Sequence, residues 1–354
     1  MRVDQLVPAF HQGDAIGDTA FHIKQFLRCR GFQSEIYCLD RDEGLEKHST
    51  LFSEFFPPAS TDITILHFAL PSPLTAKFIT FSSKKILIYH NITPAHFFLP
   101  YSQEMAHIAQ VGREEVKLMA PHVDVALADS EFNRLELEEI GYRRTEVFPL
   151  FIDFAKYQRP ADPFFQRLFR DQRVNILFVG RIVPNKGIDD LIRTTFYYKK
   201  YISPLVRLII VGKTTSLPAY YQSLIKLVDD FYLRPEEVVF TGHITDEQMY
   251  ALYQTADVFL SMSEHEGFGL PLVESMIFDL PVIAYEATAV PYTLGGAGIL
   301  LRTKRVDYVA ELVHLVATQE NLRQKIINHQ RQRLKDLRAE GLEEKLLRVI
   351  KDLT

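Results

Sequence analysis

The pattern that most constrains this chain is an alternation running almost from end to end: short apolar runs of strand length, each followed by a longer amphipathic stretch. Val3–Phe10, Ser34–Leu39, Ile63–Phe68, Lys85–His90 and Val123–Asp129 read as strands. Asp18–Arg30 reads as a helix, with Phe21, Ile23, Phe26 and Leu27 forming its apolar stripe. Runs that are mostly apolar belong to strands covered on both faces. Strand and helix in alternation predict an α/β architecture with parallel sheets.

The alternation breaks near Asp153–Arg173, where Pro160, Asp162, Pro163 and several charges interrupt it as a linker would. It then restarts with strands at Val174–Val179, Val206–Val211, Val238–Thr241, Val258–Leu260 and Pro281–Tyr285. Helices are expected around Gly187–Lys199, Ala219–Phe231, Asp246–Gln254 and Leu270–Phe278. A chain of 354 residues suits two such domains. We expect one domain over 1–155, a second over 156–335, and a terminal helix over 336–354 that crosses back to the first. Both domains would be doubly wound and Rossmann-like, facing a cleft. Ligands of such sheets bind beyond the carboxyl ends of the strands.

Composition removes several function classes. The net charge is -5, and no run of Lys and Arg interleaved with aromatics appears, so a nucleic-acid partner is not expected. Cys29 and Cys38 are the only cysteines; they are expected as buried free thiols of a reducing compartment. The amino terminus has no basic segment leading into an apolar one, and no apolar run has membrane-spanning length. A cytoplasmic protein is expected, with peripheral attachment to the inner membrane surface left open.

The densest motif is Ser263-Glu264-His265-Glu266-Gly267-Phe268-Gly269-Leu270-Pro271, which leads into a helix carrying Glu274. Glycines on both sides of Phe268 allow close backbone approach to a ligand. Pro271 suits a first helical turn, whose free N–H groups and positive dipole end attract phosphate. Carboxylates at Glu266 and Glu274 can accept from the paired hydroxyls of sugars and ribose. Complementing the helix dipole would explain one acid there, but not the flanking glycines.

A second motif, Gly180-Arg181 followed by Lys186-Gly187, places two cations just before a helix, where the dipole disfavours them. An anion beside them resolves this, and a nucleotide diphosphate fits a guanidinium fork plus an ammonium point charge. Two fixed cations could also stabilise a diphosphate leaving group without a metal. No metal or other cofactor is expected. Asp40-Arg41-Asp42 is the one metal-ligand-like spacing, and a solvated turn is its better reading.

In the first half, His11-Gln12-Gly13-Asp14-Ala15-Ile16-Gly17-Asp18 lacks the glycine spacing of dinucleotide binders. Gly17 at a helix start could offer its N–H to a phosphate. His90 ends a strand and precedes Asn91-Ile92-Thr93-Pro94, a place suited to hydrogen bonding or proton transfer. A satisfied structural histidine is the alternative. The apolar stretch His96–Tyr101 is expected to pack in a core, with contact to a lipid-linked acceptor as the alternative.

The segment EGFGLPLVE resembles the signature of the retaining family 4 glycosyltransferases, which have the GT-B fold. The stretches GDAIGD, IYHNITP and ADSEFNRLEL are similar to a subgroup associated with polysaccharide assembly. The resemblance implies that Glu266 contacts donor-sugar hydroxyls and that Glu274 holds the ribose. It implies that the Gly267-Phe268-Gly269-Leu270 backbone lies against sugar and phosphate. Gly180, Arg181 and Lys186 would meet the diphosphate, the Gly17 loop would close on it, and His90 would lie by sugar and acceptor. The implied reaction moves a hexose from a UDP- or GDP-sugar to a hydroxyl of a glycan or lipid-linked acceptor, with retention. A sugar-nucleotide epimerase or hydrolase of the same fold, or a non-catalytic sugar-nucleotide binder, is the alternative. One departure stands out: many members carry Glu after Val290-Pro291, and this chain has Tyr292.

Overall fold

The computed structural model describes residues 1–11, 13–338 and 341–354, so Gln12 of the first loop and Ala339 and Glu340 of the terminal segment lie outside it. The chain forms two compact units.

The first unit is a parallel sheet of β1 (Val3–Phe10), β2 (Ile36–Arg41), β3 (Thr50–Leu51), β4 (Ile63–Phe68), β5 (Lys84–Tyr89), β6 (Val125–Ala128) and β7 (Thr145–Val147). Its spatial order is β3-β2-β1-β4-β5-β6-β7, which reverses direction between β1 and β4. Val3, Ile63, Ile65, Ile86, Ile88, Val125 and Leu127 point to one face and pack there against Ile23 and Leu27 of helix Ala15–Cys29. The terminal helix Leu342–Leu353 adds Leu346, Val349 and Ile350 to the same core. Burying three aliphatic side chains stabilises the unit by on the order of 5–9 kcal/mol, an upper figure because the unfolded chain is not fully extended.

The second unit contains β8 (Val174–Val179), β9 (Val206–Val211), β10 (Val238–Gly242), β11 (Val258–Ser261), β12 (Val282–Tyr285) and β13 (Ile299–Leu301). These pair in parallel in the order β10-β9-β8-β11-β12-β13, with the reversal between β8 and β11. The unit also takes in His96–Gln103, so the first domain is not the unbroken block 1–155 expected. Tyr101 packs edge-on against Tyr220, with ring centroids 5.1 Å apart, and Phe98 is buried.

The expected linker is structured rather than bare. Asp162 caps helix Pro163–Phe169, its carboxylate accepting from the Phe164 and Phe165 N–H groups at 2.7 and 3.1 Å. Pro163, which interrupts the apolar pattern, is a helix-starting residue here. Cys29 also departs from expectation: it is exposed in the last turn of the first helix, while Cys38 is buried, and both are free. Among the described residues no helix is long and apolar enough to cross a membrane.

Candidate functional site

The sheet reversal in the second unit puts the loops after β8 and β11 side by side, and these loops carry both motifs. Gly187 brings them together. Its φ is +60°, and a Cβ there would stand 2.4 Å from the Met262 carbonyl oxygen, so only glycine permits the approach. Asn185 joins the loops further: its side-chain amide donates to the His265 carbonyl at 2.9 Å, and its backbone carbonyl accepts from the Glu264 N–H at 2.8 Å.

Across this junction Lys186 Nζ donates to Glu266 Oε1 at 2.6 Å, and both side chains are mostly buried. Half of the expected diphosphate clamp is therefore already paired, to the carboxylate expected to hold the sugar. Arg181 is exposed and has no side-chain partner among the described residues. Glu264 belongs to another group: Lys304 Nζ bridges it, at 2.6 Å, to Asp190 at 2.8 Å. Gly269, at φ +83°, starts helix Leu270–Ile277 without a side-chain cap, and Pro271 stands in the first turn as expected.

Glu274 lies deeper than a ribose-binding role suggests. Its Oε1 accepts from the Tyr157 hydroxyl at 2.9 Å and its Oε2 from the Tyr253 hydroxyl at 2.8 Å. The residue is 6% exposed. Burial pushes its pKa up, and the tyrosine hydroxyls oppose that by stabilising the anion. Tyr157 comes from the stretch expected as linker, which left it without a signal in the sequence.

In the first unit His90 sits in a buried row of polar groups. Gln5 Nε2 donates to the Ala20 carbonyl at 2.9 Å, which leaves Gln5 Oε1 to accept from His67 Nε2–H at 2.9 Å. Burial, and then the neighbouring His90, hold the His67 pKa well below its ordinary value, so His67 is neutral. Its Nδ1 therefore accepts from His90 Nε2–H at 3.1 Å. His90 Nδ1 faces Asp129 Oδ2 at 2.9 Å. Both ring nitrogens of His90 are thus engaged, and its side chain is 3% exposed. The polar satisfaction of a structural histidine is met in full, and no ring nitrogen is left for proton transfer to a ligand. Asp129 Oδ1 is buried without a hydrogen-bond partner among the described residues.

Gly17 is also occupied. Asp14 caps helix Ala15–Cys29, and its carboxylate accepts the Gly17 N–H at 3.3 Å, so that donor is not free for phosphate as expected. The Asp40-Arg41-Asp42 stretch is not the turn expected: Asp40 and Arg41 end β2, and Asp42 just after it pairs with His11 Nδ1 at 2.8 Å. His67, Asp129, Tyr157, Tyr253 and Lys304 were not anticipated as partners of the named residues. Asp129 directly precedes the helix of the ADSEF stretch, the one place where a signal existed.

Residues 161–333, all within the second unit, match the family described as glycosyl transferases group 1. A serotype-specific mannosyltransferase of Escherichia coli, WbdA, is 26% identical over 145 residues, covering 41% of this chain and 18% of that protein. The capsular polysaccharide biosynthesis glycosyltransferase CapM of Staphylococcus aureus is 28% identical over 193 residues, covering 52% and 48% respectively. This chain therefore aligns with less than half the length of either relative. Anabaena Alr3699/HepE, solved in complex with UDP-glucose, superposes with a TM-score of 0.78 at 17% identity, covering 99% of this chain and 100% of that one. The family match thus falls within the second unit, and with two Rossmann-like units the chain has the GT-B fold of its structural neighbours.

Proposed function

We propose that the chain is a retaining hexosyltransferase, taking its sugar from a UDP- or GDP-sugar and passing it to a hydroxyl of a glycan or lipid-linked acceptor. The observation that carries this reading is the Lys186–Glu266 pair at the sheet reversal, with Arg181, which has no side-chain partner among the described residues, following the neighbouring strand. An isolated ion pair would be a structural link. Sharing its loops with an exposed arginine and with a helix start that has no side-chain cap, it is a pre-assembled acceptor and donor for a molecule that is both polyhydroxylated and anionic.

The chemistry follows from which atoms remain open. Glu266 Oε1 is held by Lys186, which fixes the carboxylate and leaves Oε2 to accept from sugar hydroxyls. Lys186 also has N–H groups to give a phosphate oxygen, and Arg181 offers its fork to the diphosphate. As the glycosidic bond to phosphate breaks, negative charge grows on the leaving group, and these fixed cations stabilise it without reorganisation. The leaving phosphate then accepts the acceptor hydroxyl proton on the same face, which retains configuration. Gly180 and the Gly267-Phe268-Gly269-Leu270 backbone supply close approach, and Glu274 shapes the nucleotide side through its tyrosine-held carboxylate. His90, with both nitrogens engaged, acts as an orienting group and not as a proton carrier.

The relatives support the direction of this reading: one is named for mannosyl transfer, another for capsular polysaccharide synthesis, and a structural neighbour was solved with UDP-glucose. The test is turnover of a panel of UDP- and GDP-sugars with glycan and lipid-linked acceptors. Glu266→Ala is expected to lose well over tenfold in turnover while still folding, about the effect of removing an interaction made to the reacting sugar. Unchanged turnover in that variant refutes the assignment.

A further inference from the structure

We infer that Thr288, in the loop after β12, is a positioning residue that sets the direction of Glu266, an inference that rests on the donor-sugar role proposed for that glutamate. The starting observation is backbone strain. Among the described residues, the non-glycine positions with positive φ are Asn91, Tyr232, Asp279 and Thr288. Asn and Asp tolerate the left-handed region, and Tyr232 is 88% exposed in a turn. Thr288, at φ +46°, is the β-branched one, for which this conformation is a genuine outlier. Strain of this kind persists only where the surroundings hold it, and it gathers at functional sites.

What holds it is a two-way contact with a single residue. The Thr288 hydroxyl accepts from the Glu266 N–H at 2.8 Å and donates to the Glu266 carbonyl at 2.9 Å. One side chain thereby satisfies both backbone groups of the residue whose carboxylate meets Lys186. Ala289 adds its N–H to the same carbonyl at 3.4 Å. Five residues on from Thr288, the Thr293 hydroxyl donates to the Phe268 carbonyl, so one segment grips the donor loop at two points. That segment is fastened in turn: Arg333 donates from Nε to the Thr293 carbonyl and from a terminal nitrogen to the Tyr292 carbonyl, each at 3.0 Å.

A glycine at this position would adopt the backbone without strain, and an alanine would save the hydroxyl's desolvation. Only Ser or Thr can close both hydrogen bonds. The strained residue is thus explained by its hydroxyl, and the hydroxyl by Glu266. With the loop backbone fixed on one side by Thr288 and the carboxylate on the other by Lys186, the remaining carboxylate oxygen has one direction in which to point.

The experiment compares Thr288→Val, Thr288→Gly and Thr288→Ser by calorimetry with UDP-glucose and GDP-mannose, each against free UDP and GDP, and by turnover. Thr288→Gly is included because it removes the hydroxyl while relieving the strain, so it reports even where Thr288→Val fails to fold. Loss of the hydroxyl should lower sugar-nucleotide affinity and turnover by roughly five- to a hundredfold. Affinity for the free nucleotide should stay within about twofold, and Thr288→Ser should restore all readouts. In a Glu266→Ala background, removing the hydroxyl should cost nothing further. Equal losses with and without the sugar, additivity with Glu266→Ala, or failure of Thr288→Ser to rescue would each overturn the inference. A parent chain that binds neither sugar nucleotide, or a Glu266→Ala variant with parental turnover, instead refutes the donor reading itself and removes the ground on which Thr288 acts.

Discussion

Removing the hydroxyl of Tyr253 isolates the energetics of the buried carboxylate. Tyr253→Phe leaves Glu274 Oε2 without its donor at 2.8 Å, in a place where Glu274 is 6% and Tyr253 1% exposed. Tyr157 is committed to Oε1, and the aromatic rings of Tyr250 and Phe278 stand beside the pair. A hydrogen bond to a charged group is worth about 1.5–3 kcal/mol, and a buried acceptor left unpaired lies in the upper part of that range. At about 2–4 °C per kcal/mol for a domain of 150–250 residues, a loss of about 2–3 kcal/mol lowers the melting temperature of the second unit by about 4–12 °C.

The pH dependence gives a sharper check. Burial already raises the Glu274 pKa above that of the unfolded chain, so the folded unit binds more protons in the window between the two values. Stability contributed by this group therefore falls as pH rises through that window. Losing a donor to the anion raises the folded pKa further and widens the window. The deficit of Tyr253→Phe should be largest at pH 8 and should narrow towards pH 5, measured by scanning calorimetry. In a Glu274→Leu background the same change should cost almost nothing. A melting temperature within 1 °C of the parent at pH 8, or a deficit that grows on acidification, refutes the reasoning.

Two further outcomes follow from other parts of the chain. Gly187→Ala should destabilise the second unit by more than about 3 kcal/mol, since left-handed strain of about 1–2 kcal/mol adds to a collision with the Met262 carbonyl; Gly242→Ala, with φ +71° and open space around it, should show the strain alone in chemical denaturation. His67 has a folded pKa far below its unfolded one, so the unfolded chain binds the extra proton on acidification and the first unit should lose stability as pH falls below about 6.5. Hydrogen exchange of β4 and β5 amides at pH 7.5 and 5 should register this, and His67→Gln should flatten it.

The α/β architecture was legible because its central strands are apolar on both faces. Val3–Phe10, Ile63–Phe68, Val174–Val179 and Val206–Val211 run to the residues read from the pattern. The strands that went unread, β3, β7 and β13, lie at sheet edges. An edge strand pairs on one side only and can be as short as Thr50–Leu51, too short for a pattern to register. At the site, glycines and charges next to strand ends were legible as a type of chemistry, and the Lys186–Glu266 pair brings two of them together. Their partners were not. Tyr157 and Tyr253 reach Glu274 across 117 and 21 residues, and Thr288 reaches Glu266 across 22. Such contacts depend on which loops the sheet order makes adjacent, and no local spacing encodes that. Gly17 was misread for a different reason: Asp14, four residues into the same quoted loop, could have been recognised as a helix cap.

The terminal helix has a consequence for how the protein is made. Lys345 donates to the carbonyl of Val147, 198 residues earlier in the chain, and Leu346, Val349 and Ile350 complete the apolar layer begun at Val3. Chains emerge from the ribosome at about 5–20 residues per second, so the first unit waits roughly 10–40 s with that layer uncovered while the second unit is synthesised. The half made first is thus finished last. Its newborn form exposes an oily sheet face, whereas the second unit can close as soon as its own strands are out.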